Sequence, residues 1–391
     1  QDAFPITPNG KLDRRALPIP EIDFDDSSYL PPRTPTEEIL AAIWCDVLGL
    51  KKVGINNNFF ELGGDSIISI QIIARANQAG LKLTPKQLFQ YQTIAELATV
   101  ARKATTNLQA QQGLVTGEVP LTPIQHWFFE QNFVEPHHFN HAMLLEVPAD
   151  ITPELLQQVL EKLLRYHDAL RLQYIQMESR WQQINLDASV SVPLEVVDLS
   201  NLTYSEQKIA ITQKANERQR VLNLSTGNLI QVVLFQLGVS SPGRLLIVIH
   251  HLAVDGVSWR ILLEDLTTAY YQLLRGENIQ LPAKTTSFKD WSSKLQDYAQ
   301  EQKLYSELKY WLQNSHSFAT VLPVDYTHDK STNVVVSSQI VSVSLSKEQT
   351  RNLLQDVPSV YNTQINDVLL SALVQSFTRW AGCNSLLVNL E

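Results

Sequence analysis

The stretch RLLIVIHHLAVDGVSWRILLEDL, residues 244–266, decides how the rest of the chain is read. Residues 245–249 are apolar or β-branched without interruption, which suits a strand buried on both faces. His250 and His251 follow where that run ends. Asp255 and Gly256 make a turn, and Ser258 can cap a helix. Ile261, Leu262, Leu266, Ala269, Tyr270, Leu273 and Leu274 then give that helix one apolar face until Gly276 stops it. The histidines therefore sit where a strand delivers its last residues into a cleft. Successive strand residues point to opposite faces, so only one of the two can enter a given cleft. Histidine is the side chain that exchanges a proton near neutral pH. An isolated His-His pair, however, is more often two structural residues, with Asp255 merely starting a turn.

With 391 residues the chain is long enough for two to three domains, each burying its own core. Hydrophobic residues make up 44% and charged residues 18%, as in a soluble globular protein. A net charge of −9 without a basic cluster argues against nucleic acid or an anionic membrane as partner. No apolar run approaches bilayer length and no charged-then-apolar leader opens the chain. Cys45 and Cys383 fall in different expected domains, so a reduced, cytoplasmic setting is the simplest expectation.

Residues 33–103 read as a small helical bundle. Thr36 can cap a helix carrying Ile39, Leu40, Ile43, Trp44, Val47 and Leu48 on one face and closing at Gly49. An Asn-rich loop leads through Phe59 and Phe60 to LGGDSI at 62–67. Further helices are expected over 67–80, 84–90 and 93–101. Ser66 stands at the start of the second helix as a candidate cap, behind Gly63 and Gly64, which leave the backbone open to close approach.

Upstream, residues 1–30 are rich in turn formers and acids and read as a tail and linker. Residues 104–118 are polar and Gln-rich, a second linker whose end can pack on the next domain. Beyond it come PLTPIQHWFFEQ at 120–131 and HHFNHAMLLEV at 137–147. The spacing of four between His137 and His141 would suit a metal on a helix, but no Cys or carboxylate cluster accompanies it and the following residues alternate like a strand. Thr152-Pro153 open an amphipathic helix with Leu155, Leu156, Val159, Leu160, Leu163 and Leu164 inward. Strands are expected over 180–184 and 230–237, the latter hairpinned to the strand that delivers His251. A second lobe is expected from about 326, with a strand over 334–345, a capping box at Ser346 to Gln349, a long helix over 361–377 and a final strand before Glu391.

The run from His250 to Gly256 resembles the HHxxxDG signature of the condensation-domain superfamily of nonribosomal peptide synthetases. Its continuation GVSWRIL is similar to the epimerization-domain version. The resemblance implies that His251 is catalytic and that His250, Asp255 and Gly256 are structural motif residues, Asp255 pairing with an arginine. PLTPIQHWFFEQ resembles the first motif of epimerization domains. RYHDALRL at 165–172 is similar to the family's HHDALR segment, with Tyr166 in place of the first histidine and His167 structural. Glu391 stands where the family begins an EGHGRE-type motif whose first glutamate is implicated in proton transfer. LGGDS within its bundle resembles peptidyl carrier proteins, implying covalent 4′-phosphopantetheine on Ser66, flanked by Gly64 and by Asp65, the residue typical of carriers preceding epimerization domains. PITPNGKLDRRALP at 5–18 resembles the last adenylation-domain motif, whose lysine matches Lys11.

The implied architecture is multidomain: adenylation tail and linker at 1–30, an all-α four-helix-bundle carrier at 33–103, a linker at 104–118, and at 119–391 an α/β, chloramphenicol-acetyltransferase-like two-lobed domain. Its first lobe would reach about 325 and its second lobe would be incomplete. The implied activity is Cα epimerization of a carrier-tethered L-aminoacyl or peptidyl thioester, whose carbonyl takes up the developing charge while His251 and Glu391 exchange protons from opposite faces. No metal is required. The implied partners are an upstream adenylation domain in the same chain, a phosphopantetheinyl transferase and the condensation domain of the next module, for a monomeric fragment. A peptide-bond-forming condensation domain and an inactive carrier-docking domain are the competing readings.

Overall fold

The computed structural model describes residues 29–103, 110–178, 180–187, 194–239, 241–314, 323–324, 335–361, 363–382 and 385–388. Lys11, Cys383 and Glu391, and with them the expected adenylation motif and second proton-transfer group, lie outside the described residues. The chain divides into two compact units, Gln1–Ser292 and Ser293–Glu391.

The first unit opens with the helical bundle expected over 33–103. Helix α1 (Pro35–Leu48) is capped by Thr34, not Thr36: proline takes the first helical position, where its missing N–H costs nothing, and Glu37 closes a capping box. Helix α2 (Ser66–Gln78) is capped by Asp65, whose carboxylate accepts the Ile68 N–H at 2.7 Å, so Ser66 is the first helical residue and not the cap. A short ladder of β1 (Leu81–Lys82) and β2 (Arg102–Lys103) brackets α3 (Pro85–Gln90) and α4 (Ile94–Val100). Leu40, Trp44, Ile55, Phe59, Ile72, Leu88, Ile94 and Leu97 are wholly buried between these elements. The four expected carrier helices are thus present.

An α/β lobe follows with β3 (Gly117–Val119), α5 (Pro123–Glu130), β4 (Asn140–Val147), α6 (Pro153–Tyr166), β5 (Leu172–Gln176), β6 (Trp181–Asn185), β7 (Leu194–Asp198), α7 (Tyr204–Gln219), β8 (Ile230–Gln236), β9 (Gly243–His250) and α8 (Gly256–Leu274). Helix α9 (Phe288–Ala299) spans the division between units. The principal sheet has the order β4-β9-β8-β7, antiparallel except for the parallel β7–β8 pair; β3-β6-β5 form a smaller antiparallel sheet. Strand β9 is central, as its apolar run requires. Leu245, Ile247 and Ile249 pack on the α6 and α8 side with Leu156, Leu160 and Leu262, while Leu246 and Val248 join Phe235 and Leu222 on the other face.

The end of the second linker belongs to this lobe. Strand β3 pairs with β6, and the Val115 carbonyl accepts Arg171 Nη2 at 3.0 Å. Arg171 is fully buried, its guanidinium spread over Asp168 and the carbonyls of Val115, Leu164, Arg165 and Leu186.

In the second unit, α10 (Gln302–Asn314), α11 (Lys347–Arg351), α12 (Val357–Tyr361) and α13 (Ile365–Ala381) are joined in part by a π-helical turn at Asn352–Asp356. Ser346 and Gln349 form the expected capping box, and the expected long helix is α13. Over 335–345, the described part of the strand expected at 334–345, no strand is formed. Val335–Ser337 is a 3-10 turn, residues 338–346 carry no ladder, and Val336, Ile340 and Val343 are about nine-tenths exposed. An alternating pattern forms a strand only beside a partner edge, and none is present among the described residues of this unit. Residues 385–388 of the expected final strand are likewise unladdered.

Candidate functional site

The two histidines at the end of β9 have opposite environments. His250 is fully buried on the same face as Leu246 and Val248, edge-on to Phe128. Its Nε2 lies 2.8 Å from the Pro136 carbonyl, which can only accept, so Nε2 carries the proton. Its Nδ1 accepts the Leu252 N–H at 3.1 Å. Both ring nitrogens are thereby committed to backbone. Burial pushes the imidazole pKa down to about 4, with His137 and His251 pressing the same way against the opposing Pro136 hydrogen bond.

His251 turns to the other face and is only half-buried. Its Nδ1 lies 2.9 Å from the Val254 carbonyl and must be the protonated nitrogen, so Nε2 holds the lone pair. Nε2 takes part in no hydrogen bond among the described residues. The ring is stacked on Phe139 at 5.2 Å between centroids and lies against His141 at 3.9 Å. The register explains this: β4 pairs with β9 so that Asn140 faces His250, and the His251 N–H donates to the Phe139 carbonyl at 2.8 Å. Desolvation, reinforced by His251, lowers the His141 pKa, so His141 is neutral at neutral pH.

Asp255, expected only to start a turn, is the N-cap of α8; its carboxylate accepts the Ser258 N–H at 2.7 Å and the Ser258 hydroxyl at 2.6 Å. Ser258 is thus the cap's partner and not the cap. Desolvation pushes the carboxyl up, but hydrogen bonds from Ser258 and Val257 and the nearby His251 outweigh it, and the net shift is downward. Among the described residues of the first unit no arginine pairs with Asp255; the fully buried Arg171 pairs instead with Asp168 at 2.8 Å. Gly256 is the first residue of α8 with open space where a Cβ would be. His167 binds Asp265 at 2.9 Å, and Tyr166 donates to the Pro282 carbonyl. His137 lies in a 3-10 turn and its Nδ1 accepts the Leu224 N–H, while His141 is on β4, so the two do not share a helical face.

On the carrier, Ser66 is exposed at the first position of α2, with its hydroxyl in no hydrogen bond among the described residues. The two glycines before it have different reasons. Gly63 has φ +91°, whereas a Cβ on Gly64 would lie 2.4 Å from the buried Phe59 ring. Internal packing against Phe59 is by itself sufficient to require glycine at position 64.

Sequence alone does not single out Phe139 and His141 as neighbours of His251. The available signal is the alternation after His138, but only the strand pairing converts it into proximity.

Residues 115–391 match the family model described as Condensation domain, which covers well over half of the chain. The chain belongs to the condensation-domain family. Ahead of this condensation-family domain, residues 38–101 match the model described as Phosphopantetheine attachment site. A linear gramicidin synthase polypeptide of Brevibacillus parabrevis is 51% identical over 393 residues, covering 100% of this chain and 8% of its own length. Tyrocidine synthase 1 of the same organism is 41% identical over 396 residues, covering 100% of this chain and 36% of its own. The chain therefore spans well under half of these relatives. Among solved structures, the epimerization domain from the third module of tyrocidine synthetase B is similar with TM-score 0.63 and 38% identity, covering 70% of this chain and 62% of that one. The first condensation domain of the calcium-dependent antibiotic synthetase, with TM-score 0.51 and 17% identity over 68% of this chain and 61% of that one, shares the fold.

The chain is a nonribosomal peptide synthetase segment, a carrier followed by a condensation-family domain, and its covalent cofactor is 4′-phosphopantetheine. An exposed serine hydroxyl at the start of a helix fits attachment of that arm. Among the described residues no helix is long and apolar enough to cross a membrane.

Proposed function

We propose that this condensation-family domain is an epimerase that inverts Cα of an L-aminoacyl or peptidyl group tethered to its own carrier, giving a D/L mixture. The observation that carries the reading is the His251 ring: Nδ1–H is held by the Val254 carbonyl, which leaves a basic Nε2 at the strand end. Phe139 stacked on the ring fixes its plane, and Asp255 anchors the helix that follows. The bound arm supplies a thioester, which acidifies the Cα–H. His251 Nε2 is the group that takes or returns a proton on one face, and Glu391 is proposed for the other. Ser66 is proposed as the attachment point, with Asp65 and Gly64 shaping the turn before it. Epimerization is supported over condensation by the 38% identity to a solved epimerization domain. An upstream adenylation domain, a phosphopantetheinyl transferase and a downstream condensation domain complete the proposed setting, in the cytoplasm.

The test is solvent deuterium exchange. With Ser66 carrying an L-aminoacyl phosphopantetheine, the released acid should contain Cα deuterium and D enantiomer, and His251→Gln should lose both. Transfer to a second carrier with retained L configuration and no exchange would mean condensation instead.

A further inference from the structure

The β4 segment brings two side chains to the His251 ring. Residues two apart on an extended strand share a face, and Phe139 and His141 both touch that ring, at 5.2 and 3.9 Å between centroids. Asn140, between them, donates to the carbonyls of His138 and Gln219. Phe139 offers only a ring. His141 offers more, because its imidazole takes part in no hydrogen bond among the described residues and its nitrogens are not sealed from solvent. His137 and His250, by contrast, commit ring nitrogens to backbone. If His141 served only to pack on His251, a second phenylalanine would do so without the cost of desolvating an imidazole.

The chemistry proposed for the site lacks one group. Taking a proton from Cα puts negative charge on the thioester carbonyl oxygen, and a donor already aimed at that oxygen is the largest single gain such a site can offer. The base approaches Cα to about 3.5 Å, the carbonyl oxygen lies about 2.4 Å from Cα, and the donor sits about 3 Å from the oxygen, so base and donor nitrogens are within about 9 Å of each other. Rings 3.9 Å apart meet that limit with either nitrogen of His141. The donor must also be uncharged, since a cation beside His251 would oppose the proton that His251 has to accept. Burial lowers the His141 pKa, His251 presses the same way and Asp255 only partly opposes them, so at neutral pH the ring presents one N–H and one lone pair. No protein partner fixes its tautomer, which leaves either nitrogen able to carry that N–H.

We propose that His141 is the donor to the thioester carbonyl oxygen, holding the charge that develops there as His251 Nε2 takes the Cα proton. The Cα–H bond breaks, its electron pair becomes the Cα–C double bond of an enolate, and the carbonyl π pair moves onto the oxygen. The hydrogen bond from His141 to that oxygen strengthens without passing its proton on, and the sequence reverses when Cα is reprotonated from the other face. This role rests on the epimerase reading and on His251 as its base.

Variants at 141 separate donation from packing. His141→Phe keeps a ring against His251 without a donor and should slow Cα deuterium exchange about 10²–10³-fold, whereas His141→Gln keeps an N–H without the ring and should stay within about tenfold of wild type. His141→Ala loses both and should fall at or below His141→Phe. A second readout needs no turnover. With His251→Gln as background and a ¹³C-labelled L-aminoacyl thioester on the Ser66 arm, the carbonyl infrared band should lie at lower wavenumber with histidine at 141 than in the His141→Phe double variant. Exchange in His141→Phe equal to or faster than in His141→Gln, or an unmoved carbonyl band, would overturn the proposal. Exchange that requires His251 but tolerates His141→Phe sinks the donor role alone, while wild-type protein without exchange sinks the epimerase reading and the donor role with it.

Discussion

Replacing Arg171 by Met should destabilise the catalytic lobe severely without touching its reacting groups. The guanidinium is 0% exposed and donates to the carbonyls of Leu186 at 3.2 Å, Leu164 at 2.6 Å, Arg165 at 3.2 Å and Val115 at 3.0 Å, as well as to Asp168 at 2.8 Å. Methionine fills similar volume and offers no donor. Asp168 would keep Lys284, whose Nζ lies 3.1 Å away, so the loss is not chiefly an uncompensated charge. It is four carbonyls from three segments left without their common donor. Breaking a buried charged network costs about 3–5 kcal/mol. For a domain of this size that lowers the melting temperature by roughly 6–20 °C. Calorimetry of the full chain would resolve it, because the carrier transition should stay in place while that of the lobe moves. Arg171→Lys keeps the charge but not the planar fork and should fall between. A lobe transition within about 2 °C of wild type in Arg171→Met would refute the reasoning, since it would mean that water or rearrangement satisfies those carbonyls at little cost.

Three further outcomes follow from the same structure. His250 has a folded pKa of about 4, below the ordinary value of 6.5, so the unfolded chain takes up the proton first. Its contribution, at most about 3 kcal/mol, is present above pH 6.5 and lost as pH falls toward 4; denaturant midpoints between pH 7.5 and 4.5 should decline by an amount that His250→Phe removes. Gly64→Ala puts a Cβ 2.4 Å from the Phe59 ring and should cost the carrier about 1–3 kcal/mol in its own melting transition; an unchanged midpoint would mean that Phe59 can yield freely. Asp255→Ala removes the α8 cap at a cost of about 0.5–2 kcal/mol, whereas Asp255→Asn, still a good cap, should recover most of it in the same melting assay.

The elements legible in the sequence are those whose signal is local. The 245–249 run marks β9, and the periodicities after Ser66, Pro153 and Gly256 mark α2, α6 and α8 within a residue or two. The expected caps Thr36, Ser66 and Ser258 fall one to three positions late, because a serine or threonine is the usual cap where here proline at the first turn or a preceding aspartate decides. The alternating segment at 334–345 has the strand period but needs a partner edge, which is not a local property. The surroundings of His251 are illegible for the same reason: Phe139 and His141 are more than a hundred residues away and arrive through the β4–β9 register. Arg171 escapes notice because a charged residue in a polar-looking segment carries no sign of burial. Its five hydrogen bonds draw on residues 115 to 186.

The pairing of two histidines becomes intelligible once their hydrogen bonds are separated. If His250 were only a space-filling residue, an apolar side chain would serve at a fully buried position and would avoid the cost of desolvating imidazole. Instead its Nε2–H holds the Pro136 carbonyl, at the base of the turn that leads to Phe139, and its Nδ1 holds the Leu252 N–H, at the start of the turn that ends at Val254. Phe139 stacks on His251 and the Val254 carbonyl fixes its tautomer. One buried ring therefore ties down both segments that orient the other. His250 is a positioning residue, and because burial keeps it neutral down to about pH 4, its donor-acceptor pattern does not change over the range in which an ordinary histidine titrates. The frame of the site is thereby insulated from pH, while His251 Nε2, the nitrogen proposed to exchange the proton, takes no part in those hydrogen bonds.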